Sequence, residues 1–156
     1  MSTSIVSVDD LFGCWVTHPD ATAERVANAT LFLPKVNMLL QDAIDDGVPL
    51  KINPNTQNYV GGAHNGFGGF RPQNCAQGAP GSSHKQGRGV DMFDPHNALD
   101  TWLDKFEVGF GHNTKLASYS LYREAPEDTI SWCHLTDRAP DSKKNIARSP
   151  ITAKIL

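Results

Sequence analysis

Ser82-Ser83-His84-Lys85-Gln86-Gly87-Arg88-Gly89-Val90-Asp91-Met92-Phe93 is the segment on which the fold turns. Gly89–Phe93 reads as a strand, with Val90 and Met92 on one face and Asp91 on the other. Upstream, residues 61–89 read as loop and hold nine of the chain's thirteen glycines. Irregular stretches of that length are uncommon in a compact domain and often carry function. Downstream, Asp94-Pro95 predicts a helix start, with Asp94 as N-cap and Pro95 at the first helical position. Leu99, Trp102, Leu103 and Phe106 give that helix an apolar stripe. Ser118–Tyr122 and Trp132–Thr136 read as further strands. Toward the N-terminus, Val26, Leu31, Leu33, Val36, Met38, Leu39, Leu40 and Ile44 recur at helical spacing between Ala21 and Asp46. Pro34 sits badly inside a continuous helix, so two helices meeting near Leu33-Pro34 are expected, with Gly47 as the stop. Leu50–Asn53 reads as a short strand closed by Pro54-Asn55. These elements make a single α+β domain.

Composition bounds the possibilities. The chain has 156 residues, 39% hydrophobic and 20% charged, enough to bury a core and too apolar for a disordered chain. A net charge of -3 argues against a dedicated nucleic-acid binder. No run approaches the length a transmembrane helix needs, and the first ten residues do not read as a signal peptide. Three cysteines (Cys14, Cys75, Cys133) suit a reducing compartment rather than a disulfide framework. Residues 1–20 are expected as an N-terminal extension, and residues 141–156 as a basic tail.

The chemistry concentrates at His84 and Asp91. Joined by a glycine-rich turn that leads into a strand, the pair can converge on one metal ion, and imidazole nitrogen with carboxylate oxygen suits zinc. A catalytic zinc site needs three protein ligands, and His134 on the Trp132–Thr136 strand is the best third. The fourth position would take water, which zinc acidifies. The pair alone does not settle the matter. Histidines also occupy half-buried structural positions, and a strand carboxylate can simply cap a loop.

The pattern Ser82-x-His84-x-x-Gly87-x-x-x-Asp91, preceded by Gly69-Phe70-Arg71 and followed by Trp132-x-His134, resembles the zinc D-Ala-D-Ala peptidase family. Its members include carboxypeptidases, dipeptidases and phage endolysins that cut peptidoglycan stem peptides, and the small phage and prophage carboxypeptidase-like members are the most similar. The likeness runs from Leu33-Pro34-Lys35-Val36-Asn37 through Gly68–Gln73 to Leu135–Pro140. It implies a small antiparallel sheet carrying the zinc, with helices packed on one side. It also implies His84, Asp91 and His134 as metal ligands and Arg71 as the group that polarises the scissile carbonyl and stabilises the oxyanion. Ser82 would lie near the substrate's polar groups, although it could equally cap the turn. Gly87 and Gly89 would serve the backbone between the ligands.

The departure from that pattern is Ser131, where many members carry the carboxylate that acts as general base. A serine cannot replace it near neutral pH. Glu124 is the first substitute, with Asp128 and Glu127 behind it; Glu124 could equally be a surface carboxylate paired with Arg123 or the basic tail. The resemblance therefore implies a zinc metallopeptidase, either a peptidoglycan endopeptidase or a D,D-carboxypeptidase. It would be made in the host cytoplasm and act in the periplasm and cell wall, or travel in the virion. Peptidoglycan stem peptides would be the partner, with other virion proteins as further contacts. Two other classes stay open: a catalytically inactive structural virion protein with the same fold, and a wall-binding module. Cys133 is expected to point into the core, Trp15 and Trp102 to be core residues on helices, and His64 and His112 to lie in loops.

Overall fold

A computed structural model describes residues 4–76, 81–109, 112–124 and 126–139. The basic tail lies outside the described residues. The helices are α1 (Val8–Phe12), α2 (Ala23–Asp45), α3 (Ala98–Asp104) and α4 (Thr114–Ser118). The strands are β1 (Gly89–Phe93), β2 (Glu107–Gly109), β3 (His112–Asn113), β4 (Tyr122–Arg123) and β5 (Trp132–Thr136). They form a three-stranded antiparallel sheet in the order β1-β5-β4 and a separate β2-β3 pair. Mixed helix and small antiparallel sheets in one small domain make this an α+β protein.

α2 is one helix, not two. Pro34 lies inside it, yet Ala29, Phe32, Leu33, Val36, Leu39, Leu40 and Ala43 form an unbroken buried stripe on both sides of the proline. Burying those side chains outweighs the one backbone bond that Pro34 cannot donate. The stripe is also displaced from the expected one, since Leu31 is 72% exposed while Phe32 is fully buried. Gly47 ends the helix as expected, at φ 89 and with its N–H donating to the Ile44 carbonyl.

Residues 4–20 are not an appendage. Val6, Leu11 and Phe12 are core residues, and Phe12 stacks on Phe70 at 4.7 Å between ring centroids. Asn37 of α2 accepts from the N–H groups of Ile5 and Val6 and donates to the Val6 carbonyl. The Phe70 N–H donates to the Leu11 carbonyl at 2.7 Å. The N-terminal segment therefore fixes the chain that leads into Arg71.

Three expected boundaries shift. Leu50–Asn53 forms no strand: Ile52 is half exposed and finds no sheet to cover it. Asn53 instead makes an isolated bridge to Asn58, and its buried amide donates to the Val60 and Gly62 carbonyls. α3 begins at Ala98 rather than Pro95, but the Asp94 carboxylate still caps it, accepting from the N–H groups of Leu99 and Asp100. Ser118 to Tyr122 is mostly the end of α4 and a turn at Ser120, φ 55, so only Tyr122 and Arg123 pair. β1 and β5 stand where the sequence places them.

The sheet has two unlike faces. Val90, Met92, Cys133 and Leu135 are fully buried against the helices. Trp102 is buried in α3 as expected, whereas Trp15 is only partly buried, in a 3₁₀ turn. The other face carries Asp91 and His134. Among the described residues, no helix is long and apolar enough to cross a membrane.

Candidate metal centre

Three elements deliver the three donors. His84 sits in a 3₁₀ turn (Ser83–Gln86), Asp91 at the middle of β1 and His134 at the middle of β5. The β1-β5 register pairs Asp91 directly with His134, so both side chains leave the same face. The turn brings His84 over that pair, and Gly87 closes it at φ 73. A Cβ at Gly87 would stand 2.5 Å from the Arg25 carbonyl oxygen, so both conformation and space call for glycine.

One donor atom from each residue lies within 4.8 Å of the other two, and the group could hold a metal ion. His134 Nδ1 is 2.8 Å and His84 Nε2 3.3 Å from Asp91 Oδ1. His84 Nδ1–H donates to the Gly69 carbonyl at 2.8 Å, which can only accept, so Nε2 presents its lone pair to the site. Burial lowers the pKa of His84, against the opposing pull of Asp91, and favours the neutral ring that a metal ligand requires. For Asp91, burial is the largest influence and works upward. At the acid pH where this carboxyl titrates, the charges and hydrogen bonds of His84 and His134 together outweigh burial and hold it well below the usual range. A neutral His84 facing an ionised Asp91 sets two acceptors 3.3 Å apart, an arrangement that a cation between them satisfies.

Arg71 borders the donor set. Its Nε–H donates to the Phe67 carbonyl at 2.6 Å, and an Nη2 hydrogen points to Asp91 Oδ2 at 3.4 Å. The guanidinium thus braces the carboxylate oxygen that the histidines do not use. Ser82 is the N-cap of the 3₁₀ turn, its hydroxyl accepting from the His84 N–H at 3.2 Å. It is the neighbouring Ser83 whose hydroxyl comes within 3.4 Å of His134 Nε2. Sequence reading missed Ser83 and the Gly69 carbonyl, because both roles arise only when the turn folds over the sheet.

Glu124 follows β4 directly. The β4-β5 register pairs Tyr122 with Thr136 and Arg123 with Leu135, and Glu124 lies one residue past the last of these pairs. Arg123 points to the other face, where it bonds Asp100 and Asp104. Ser131 is used by the backbone: at φ 77 its N–H donates to Asn97 Oδ1 and its carbonyl accepts from the Asp94 N–H. Cys133 lies in the core as expected, and burial, then the Asp100 carboxylate, pushes its thiol well above the usual range. No family model, curated protein or solved structure matches this chain.

Proposed function

We propose that this protein is a zinc-dependent peptidase of phage or prophage origin that hydrolyses a bond in peptidoglycan stem peptides. The observation that carries the reading is the convergence of His84, Asp91 and His134 on one sheet face, with Arg71 against the carboxylate. Two imidazole nitrogens and one carboxylate oxygen form a donor set that suits zinc and leaves one coordination position open. Donors on a tetrahedral zinc, at about 2.0–2.1 Å from the ion, lie about 3.3 Å from each other. His84 Nε2 and Asp91 Oδ1 stand 3.3 Å apart, whereas His134 Nδ1 and Asp91 Oδ1, at 2.8 Å, would have to part slightly to admit the ion. The choice of peptidoglycan as substrate rests on the motifs shared with the zinc D-Ala-D-Ala peptidase family.

When bound, zinc would supply a Lewis acid that brings the pKa of water toward neutrality and polarises a carbonyl. The chain's own residues would do the rest. The Gly69 carbonyl holds the His84 ring in the ligating orientation. Arg71, fixed through Phe67, would bind the scissile carbonyl oxygen and counter the charge that develops on it. The Glu124 carboxylate would take a proton from the attacking water and return it to the nitrogen of the leaving half. Glu124 directly follows β4, which pairs with the strand that carries His134, and this supports the role.

The decisive experiment is mass spectrometry of soluble products from purified Gram-negative peptidoglycan, with and without a zinc chelator. New stem-peptide termini that vanish with chelator are expected, and their masses name the bond. A second reading draws on Ser131, which stands where many members of the resembling family carry a base. It is a virion protein that keeps the fold and the metal without turnover. Zinc-loaded protein that releases no product would favour it and overturn the enzyme.

A further inference from the structure

We propose that Ser83, outside the ligand set, is a positioning residue for His134: its hydroxyl fixes the ring so that Nδ1 faces the metal position, and Gly89 is the glycine that lets it reach. The inference rests on the metal-site reading above. A ligating histidine gives one nitrogen to the metal, and the other is normally held by a partner that sets the ring's orientation. His84 has such a partner in the Gly69 carbonyl. His134 turns Nδ1 toward Asp91 Oδ1 at 2.8 Å, and the hydroxyl of Ser83 stands 3.4 Å from its Nε2.

A hydroxyl suits this position because it can donate or accept. While Nδ1–H donates to Asp91, the Ser83 O–H donates to Nε2. Once Nδ1 gives its lone pair to a metal, Nε2–H donates to Ser83 Oγ. A carbonyl or carboxylate could serve only the second state. Ser83 is itself held in place, since its carbonyl accepts from the N–H groups of Gly87 and Arg88.

Gly89 supplies an independent observation. It is a β1 residue paired with Thr136, and its φ lies outside the left-handed region, so the strand does not demand glycine there. The space does. A Cβ on residue 89 would stand 2.4 Å from Ser83 Oγ and 3.0 Å from Ser83 Cβ. Any side chain at 89 pushes the hydroxyl away from His134.

The test measures zinc affinity of the full chain by competition with a chromophoric chelator. It compares wild type, Ser83→Ala, Gly89→Ala, the double variant and His134→Ala, each checked by circular dichroism for a native fold. Ser83→Ala and Gly89→Ala are each expected to weaken zinc binding by about 10–100-fold. The double variant should fall within about threefold of Ser83→Ala, because Gly89 acts through Ser83. In zinc-loaded, ¹⁵N-labelled wild type, the His134 Nε2 proton should be protected from exchange. Ser83→Ala should remove that protection and leave the His84 Nδ1 proton protected. Losses that multiply in the double variant would overturn the role of Gly89. Zinc binding within about twofold of wild type in Ser83→Ala, with the His134 proton still protected, would overturn the role of Ser83 and leave the metal site standing. Wild-type binding that is absent, or indifferent to His134→Ala, would remove the metal site and this inference together. Should Gly89→Ala not fold, the Ser83→Ala comparison decides.

Discussion

Arg123 offers the sharpest test of how the sheet is supported. Its side chain has no exposure, Nη1 donates to Asp100 Oδ1 at 2.7 Å, and Nη2 donates to Asp104 Oδ1 at 2.5 Å. Arg123→Met keeps the length of the side chain and leaves Asp100, only 2% exposed, without its cation. Removing one partner of a buried pair costs about 3–5 kcal/mol, because the other charge stays behind. At roughly 2–4 °C per kcal/mol for a chain of this size, the melting temperature should fall by about 6–20 °C. pH sharpens the expectation. Burial pushes the Asp100 carboxyl up to about 6, with Arg123 partly offsetting it. With the folded pKa above the unfolded one, Asp100 makes stability fall as pH rises from about 4 through about 6, by up to about 3 kcal/mol. Without Arg123 the folded pKa rises further, so the variant's deficit should be larger at pH 7 than at pH 5. Urea unfolding followed by tryptophan fluorescence at both pH values measures it. Adding Asp100→Leu should recover about half of the loss or more. A deficit below about 1 kcal/mol at pH 7, or a larger deficit at pH 5, would refute the argument.

Three further outcomes are expected. His84→Ala and His134→Ala should each abolish zinc retention on dialysis, read by elemental analysis, together with peptidoglycan cleavage; full activity in either would sink the ligand assignment. Glu124→Gln should keep zinc while lowering kcat by about 10²-fold or more, and an unchanged kcat would move the proton transfer to another group. Pro34→Ala should raise stability by about 1–3 kcal/mol in urea unfolding by restoring a helical hydrogen bond, and destabilisation would contradict a continuous α2.

The two strands that carry Asp91 and His134 were legible because local signals agreed with tertiary demands. In Gly89–Phe93 and Trp132–Thr136, alternation alone separates a core face from a site face, and it put Cys133 inside. Alternation failed at Leu50–Asn53, where no neighbouring strand covers Ile52 and Asn53 organises a turn instead. The proline rule failed in α2 because packing along both sides of Pro34 holds the helix together.

The sequence by itself determined the inventory: an α+β chain, a glycine-rich turn between His84 and Asp91, a second strand presenting His134, and a serine at 131. Only the tertiary structure decided which groups meet. Register, a property of two strands and not of either alone, sets Asp91 beside His134. The packing of residues 6–12 against Phe70 brings the Gly69 carbonyl under His84, and the folded turn sets Ser83 rather than Ser82 against His134. Such long-range contacts leave no periodic trace in the chain, because each is a meeting of residues that the sequence keeps far apart.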